Sequence, residues 1–171
     1  MILFLADNID QLDLALDQLA VADRNFDRFA LMLVDNVVEL TLHRFIQDKA
    51  SENELWGKIK EPKHDPKVIE KALGQNFDNK TKGAAKLGLM TQEVCESILN
   101  LHSFRNTSYH KGMRHEGILH SLAIFYFRTA CQLSTQYEPR WWSWGSNEKY
   151  SYRARKYLGD PVRGDHRKIF E

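Results

Sequence analysis

The sequence predicts an all-α fold, a bundle of about four to five main helices, from three features of the chain. Apolar residues recur at steps of three or four over long stretches, which is typical of helices that pack on one side. No Pro or Gly interrupts residues 118–137. With 171 residues, 43% of them hydrophobic, the chain can bury one sizeable core, so we expect a single domain.

The first helical region begins at Asp7 or Asn8, which can act as N-cap residues. The apolar pattern then continues to about residue 45, with a longer gap around Asp23, so one bent helix or two successive helices would satisfy it. Its apolar positions are Leu12, Leu16, Leu19, Phe26, Phe29 or Ala30, Leu33, Val37, Leu40 and Phe45.

Residues 50–66 carry Ser51, Gly57, Pro62 and Pro66 among charges, which indicates a connection. A shorter helix follows from Pro66, because proline is tolerated in a first helical turn. Residues 76–88 are ambiguous. Their small apolar residues lie between glycines and allow a short helix.

Two further helices flank a polar stretch. Thr91 can cap a helix that runs to Arg105, and a helix of about five turns occupies residues 118–137. Between them, the side chains of residues 106–108 compete for local backbone hydrogen bonds, and Gly112 weakens a helix by about 1 kcal/mol relative to alanine. The sequence therefore predicts a break or tight turn after Arg105.

Composition and charge favour an ordinary soluble, cytoplasmic protein. The net charge is +1, no apolar run approaches the length needed to span a bilayer, and the opening residues do not form a signal peptide. Cys95 and Cys131 are expected to be buried free thiols. Residues 1–61 carry a net charge of −6, residues 62–137 carry +4 and residues 138–171 carry +3. The cationic part suits a phosphate-bearing ligand, or is simply a solvated face.

The stretch from Ser103 to Gly112 carries catalytic residue types. On an uninterrupted helix, Arg105 and His110 would lie about 140° apart around the axis and could not share a substrate. A turn would let their side chains converge, and a symmetric dimer would bring two copies together.

The pattern Arg105-Asn106-x-x-x-His110 resembles the Arg-x(4 to 6)-His signature of the HEPN superfamily, in which a polar residue often follows the arginine. The resemblance implies a small HEPN-like helical bundle, commonly a homodimer with the motif at the interface. Many members are metal-independent endoribonucleases that act as toxins or defence effectors, so RNA would be the substrate. A solvated arginine and a capping histidine at a helix junction are the plain alternative.

In the HEPN interpretation, Arg105, Asn106 and His110 are the catalytic residues. His110 would act as general acid or base, Arg105 would hold the phosphate, and Asn106 would orient the phosphate or the histidine. The other function that we weigh is a catalytically inactive HEPN-like module for nucleotide binding or dimerisation. No cofactor motif is present, and His115, Glu116 and His120 lack the one-turn spacing of zinc-binding histidines, so no metal site is predicted.

Five other residues are weaker candidates for RNA contact. Tyr109 and Lys111 flank the motif histidine. The resemblance also implies polar residues from an early helix near the motif; here these are Asp35, Asn36 and Glu39, of which Asn36 and Glu39 could meet on one face and approach it, or could belong to a solvated face. Some HEPN toxins carry a tyrosine two residues after the histidine that a nucleotidyltransferase partner modifies. That position is Gly112 here, so this regulation does not carry over, and an antitoxin partner stays open.

We expect the chain to consist of a HEPN-like core, residues 1–137, and an aromatic and basic C-terminal extension, residues 138–171. The extension is packed on the core or extends the same domain. Its tryptophans, tyrosines and cations either cover the core or stack on unpaired bases, and we favour packing. His43, His64, His102 and His166 are scattered, which is typical of surface or hydrogen-bonded core histidines.

Overall fold

The computed structural model describes residues 2–110, 116–139, 150–158 and 170. Within this part of the chain the backbone forms seven helices and no strand, which confirms the all-α prediction and exceeds the predicted four to five helices. The helices are α1 (Ile2–Ala20), α2 (Arg24–Trp56), α3 (Pro66–Leu73), α4 (Phe77–Lys86), α5 (Gln92–His110), α6 (Glu116–Gln136) and α7 (Tyr152–Leu158).

The first apolar region forms two helices in succession. Ala22 adopts a left-handed conformation with φ of 52°, and the Asp23 side chain accepts a hydrogen bond of 2.9 Å from the Asn25 backbone N–H, which starts α2. The predicted start at Asp7 or Asn8 is wrong, since α1 already begins at Ile2. Asn8 lies inside the helix, where its buried amide donates to the Thr41 hydroxyl at 3.3 Å.

The second helix extends further than predicted. Residues 50–56 continue α2, and the connection begins only at Gly57, whose backbone N–H bonds the Asn53 carbonyl. The helix persists because Glu52 pairs with Lys49 one turn earlier, and the Asn53 side chain bonds both backbone groups of His64 across the connection. Charged residues that suggested a loop therefore stabilise the last turns of a helix.

Pro66 and Thr91 stand at helix starts as predicted, and Asp65 and Asn76 add two caps that were not predicted from the sequence. Asp65 accepts a bond from the Lys67 N–H, with Pro66 in the first turn of α3, and Asn76 caps α4. Thr91 accepts a bond from the Val94 N–H at 3.3 Å at the start of α5. The short helix allowed for residues 76–88 is present, and so is the long helix over residues 118–137, which begins at Glu116 and ends at Gln136.

The predicted break directly after Arg105 is wrong, because α5 continues through His110. Asn106 does not disrupt the helix, since its amide bonds the side chains of Arg105 and His102 and so does not compete for the backbone. Residues 111–115, where Gly112 lies, are outside the described residues.

Helix α2 is central to the bundle and packs against α1, α3, α4, α5 and α6. Side-chain contacts of α2 show in which direction α1 and α6 run relative to it. Asn8 meets Thr41 while Gln11 meets Asn36, so α1 runs antiparallel to α2. Three further pairs join α2 to α6 and to the residue that follows it, and their residue numbers increase together along the two helices, so α2 and α6 are parallel. The pairs are Asp27 with His120, Asp35 with Tyr126, and Asp48 with Tyr137. None of the described helices is long and apolar enough to cross a membrane.

Helix α7, in the C-terminal extension, packs against α1. Its buried Ala154 and Leu158 join the buried residues Leu5, Ala6 and Ile9 of α1 in a small apolar cluster. Tyr150 and Tyr157 pack on this cluster, whereas Tyr152 is exposed. The tryptophans at positions 141, 142 and 144 are outside the described residues, and the division of the chain at residue 137 stays a prediction.

The buried Asp13 carboxylate joins α1 to α7 through three donors. Arg153 Nη1 lies 2.5 Å from one carboxylate oxygen, Lys156 Nζ lies 2.9 Å from the other, and the Tyr157 hydroxyl bonds the same oxygen as the lysine. Burial alone would raise the pKa of Asp13, but the hydrogen bonds from Tyr157, Lys156 and Arg153 outweigh it and lower the pKa to about 2.

We expect Gly83→Ala to destabilise the fold by about 1–3 kcal/mol, although alanine is the better helix former. A Cβ atom at Gly83 would lie 2.6 Å from the Ala72 Cβ, so α3 and α4 would have to separate. Chemical denaturation followed by circular dichroism measures the change. Gly117→Ala is the control, since among the described residues no atom outside its own stretch of helix lies within 4 Å of its Cβ position. A Gly83→Ala protein as stable as the Gly117→Ala protein would contradict this packing.

We expect Asp13→Asn to release α7 from α1, because the neutral amide loses the charge that holds Arg153 and Lys156. Limited proteolysis near neutral pH should cut residues 150–158 faster in this variant than in Asp7→Asn, a matched change at an exposed position of the same helix.

The folded-state pKa of Asp13 lies below its unfolded value, so its stabilisation is complete above about pH 4 and is lost as the pH falls toward 2. The difference in unfolding free energy between the wild type and Asp13→Asn should therefore narrow over that range. A difference that stays constant with pH would show that the carboxylate charge is not responsible.

Candidate functional site

Arg105 and Asn106 lie in the last turns of α5, half-buried. The guanidinium of Arg105 donates from Nη1 to the Asn106 amide oxygen at 2.7 Å, so the two residues form one unit. His110 ends the same helix. The side chains of Tyr109 and His110, and all of Lys111, are outside the part of the chain that the structure describes.

Asp35 of α2 reaches this unit from the bundle core. Asp35 is only 2% exposed, and its carboxylate faces three side chains from two other helices. The Tyr126 hydroxyl of α6 donates to Oδ1 at 2.7 Å, and Arg105 Nε of α5 lies 3.4 Å from Oδ2. Burial and the nearby carboxylate raise the pKa of Tyr126 well above its usual value, so its hydroxyl remains a donor.

The third partner of Asp35 is His102, one turn before Asn106 on α5. Its Nδ1 lies 2.9 Å from Asp35 Oδ1, and its Nε2 lies 2.9 Å from the Asn106 amide nitrogen. The imidazole also stacks on the Phe77 ring, with ring centroids 3.7 Å apart and an interplanar angle of 7°. His102 thus contacts side chains of α2, α4 and α5, although no functional role was predicted for it from the sequence.

Asp35, His102, Asn106 and Arg105 form a closed four-residue ring. The contacts run from Asp35 to His102 at 2.9 Å, to Asn106 at 2.9 Å, to Arg105 at 2.7 Å, and back to Asp35 at 3.4 Å. The last contact is an ion pair without hydrogen-bond geometry, since Arg105 Nε has no hydrogen-bond partner within the part of the chain that the structure describes. The four side chains therefore hold one another in place.

The other two early-helix candidates do not join this ring. Asn36 turns away toward α1 and donates to the Gln11 amide oxygen at 2.6 Å. Glu39 lies on the Asp35 side of α2 and pairs with the buried Lys80 of α4 at 2.6 Å. The expectation that Asn36 and Glu39 meet on one face is wrong, because they bind different helices. Of the three polar residues that the sequence singled out on α2, only Asp35 contacts Arg105.

A polar cleft of about 730 Å³ opens beside the ring, between α2, the start of α4 and α5. His102 and Asn106 belong to both the ring and the cleft wall, so the ring is reachable from this side. Amide and hydroxyl groups predominate in the lining, together with two carboxylates. The lining residues are Glu39, Gln75, Asn76, Phe77, Asp78, Leu99, Asn100, His102, Ser103, Asn106 and Thr107.

The unbroken α5 fixes the angular positions of the motif residues. Position 110 lies about 140° around the axis from position 105, but only about 40° from position 106, one turn earlier. Because the Arg105 side chain extends to the Asn106 amide, its guanidinium lies on the side of the helix that carries positions 106 and 110. The long side chain of Arg105 thus places the guanidinium closer to position 110, around the helix axis, than the angle of about 140° between the two backbone positions would suggest.

Among the described residues, no three His, Cys, Asp or Glu side chains come close enough together to hold a metal ion. Comparison of the chain with protein-family models, curated proteins and solved structures gives no match. The site is therefore interpreted from its own chemistry.

Sequence reasoning missed His102, Phe77 and Tyr126. The available signal was the spacing of His102, which lies three residues before Arg105 and four before Asn106 and so shares their side of a helix. That signal was hidden by the expected break after Arg105. The sequence holds no comparable signal for Tyr126 and Phe77, because these two residues reach the site through tertiary packing.

We expect Tyr126→Phe to destabilise the protein by about 1.5–3 kcal/mol, the typical value for a hydrogen bond to a charged group. The ring of Tyr126 is fully buried, so the phenylalanine would keep the packing and lose only the bond to Asp35. Chemical denaturation measures the loss. Tyr152→Phe, at a residue 86% exposed, should change stability by no more than about 0.5 kcal/mol. Equal effects of the two substitutions would show that the buried bond contributes nothing.

Proposed function

We propose that this protein is a metal-independent endoribonuclease of HEPN type, active as a homodimer. The resemblance of Arg105-Asn106-x-x-x-His110 to the HEPN motif suggests the reaction. One structural observation supports it most: the Arg105 guanidinium is held against Asn106, on the side of α5 that carries position 110 and beside an open polar cleft.

The proposed reaction is an intramolecular displacement within RNA. The ribose 2′-oxygen loses its proton to a base and attacks the adjacent phosphorus, and the bond to the 5′-oxygen breaks as an acid protonates that leaving oxygen. The products carry 2′,3′-cyclic phosphate and 5′-hydroxyl ends. No water or redox partner is consumed in this step.

Each motif residue has a separate role in this reaction. His110 transfers protons, since imidazole exchanges them near neutral pH. Arg105 stays charged and its planar fork suits two phosphate oxygens, which gain charge in the transition state. Asn106 orients the guanidinium and the phosphate. One chain supplies one His110, so a dimer that places two copies at one cleft would provide both a base and an acid.

The charge distribution is compatible with an RNA ligand. Residues 62–137, which contain the motif, carry a net charge of +4, whereas residues 1–61 carry −6. Such a difference would orient a polyanion toward the motif half of the molecule. Toxin or defence activity belongs to the same proposal and rests only on the family resemblance.

A second candidate function is a binding or dimerisation module that does not cut RNA. The pairing of Arg105 with the buried Asp35 favours it, because a guanidinium already facing a carboxylate has less net charge to offer a phosphate. This module would bind a nucleotide or dimerise through the same surface, and RNA would remain intact.

Incubation of the purified protein with labelled RNA in EDTA tests the proposal. We expect cleavage with cyclic-phosphate ends, lost by at least about 100-fold in Arg105→Ala and in His110→Ala, with the helical circular-dichroism spectrum unchanged. Arg128→Ala, at an exposed arginine of α6, is the control and should retain activity. Full activity in His110→Ala would refute the assigned role, and binding without cleavage by the wild type would favour the second function.

A further inference from the structure

The four-residue ring determines which nitrogen of His102 carries its proton. Arg105 has only N–H donors, so the Asn106 atom that faces it must be the carbonyl oxygen. The amide N–H₂ of Asn106 therefore faces His102 Nε2, which has to be an unprotonated acceptor. The proton of the neutral ring then lies on Nδ1 and is donated to Asp35.

The donors of the ring consequently point in one consistent direction. Arg105 donates to Asn106, Asn106 donates to His102, and His102 donates to Asp35. A reversed Asn106 amide would place its N–H₂ against the guanidinium, donor against donor. In the neutral ring, a proton moved to His102 Nε2 would oppose the Asn106 N–H₂ and leave a lone pair of Nδ1 against the Asp35 carboxylate. Either change would break two of the ring contacts at once, and a second proton added at Nε2 would break the contact with Asn106.

The packing around His102 leaves its ring little freedom to turn. Phe77 covers one face of the imidazole, and Asp35 is anchored independently by the Tyr126 hydroxyl. An arginine side chain has many rotamers and loses conformational entropy when it is fixed. Here that entropy is lost on folding, so a phosphate would meet a guanidinium already oriented by Asn106.

We propose that His102, held by Asp35, is a positioning residue that sets the amide orientation of Asn106 and through it the guanidinium of Arg105. This inference rests on the proposed ribonuclease function for its kinetic consequence, but its structural part stands independently. His102 would not touch the RNA phosphate, and its effect on cleavage would pass through Asn106.

The structural part is tested on the free protein by nitrogen-15 NMR of the histidine rings at neutral pH, with the His102 signals assigned by their absence in His102→Phe. We expect a neutral ring protonated at Nδ1. In Asn106→Ala the Nε2 resonance should shift, because it loses its donor. A ring protonated at Nε2, or at both nitrogens, would overturn the proposal whether or not the protein cleaves RNA.

The kinetic part is tested by a double-mutant cycle between His102→Phe and Asn106→Ala, since phenylalanine keeps a ring against Phe77 and removes both hydrogen bonds. We expect His102→Phe to lower kcat about 10- to 100-fold with KM changed less than about threefold. The double variant should be no slower than Asn106→Ala alone, because His102 acts through Asn106. Fully multiplicative effects would refute the positioning role.

His64→Phe is the matched control for the loss of a histidine that pairs with a carboxylate. His64 bonds Glu52 at 2.9 Å, outside the ring, so its replacement should leave kcat unchanged. A similar fall in kcat for His64→Phe would mean that the effect of His102→Phe is general destabilisation. If the wild type does not cleave RNA, the ribonuclease proposal fails while the NMR result still decides the orientation of the ring.

Discussion

The pairing of the buried Asp35 carboxylate with its donors is the interaction on which this structure most depends. A charge placed in a protein interior is tolerated only when partners replace its lost hydration. Asp35 obtains them from two helices, with Tyr126 on α6 and with His102 and Arg105 on α5. Because these partners are far apart in sequence, satisfying one carboxylate sets how α5 and α6 lie against α2. The residues of the candidate site are thereby fixed by a requirement of the fold itself.

The local chemistry of the helices was largely predictable from sequence. Thr91 and Pro66 mark helix starts because capping and proline geometry depend on a few neighbouring residues. The errors came where tertiary contacts override local preference. Asn8 looked like a helix start but is buried against Thr41, and residues 50–56 looked like a loop but extend α2 through side-chain pairs. Asn106 looked like a helix breaker, yet its amide is bonded to other side chains.

The candidate site was predictable only in part. Arg105 and Asn106 were identified from their resemblance to the HEPN motif and Asp35 as a polar residue of an early helix, and the structure brings the three together. Asn36 points to a different side of α2 and binds α1 instead. Glu39 lies one turn after Asp35 on the same side of α2, but it pairs with Lys80 of α4. His102 was missed because its importance depends on what α2 and α4 place beside it. The roles assigned to these residues in RNA cleavage stay a proposal.

The parallel arrangement of α2 and α6 has a consequence for the length of the chain between them. Parallel neighbours cannot be joined by a short loop, so the polypeptide must travel back along the bundle before α6 can begin, and α5 makes that return. One added or deleted residue early in α5 would rotate His102, Arg105 and Asn106 together by about 100° relative to α2. A change in length within α5 therefore costs the contacts of His102 and Arg105 with Asp35, which a change in the connection that begins at Gly57 leaves in place.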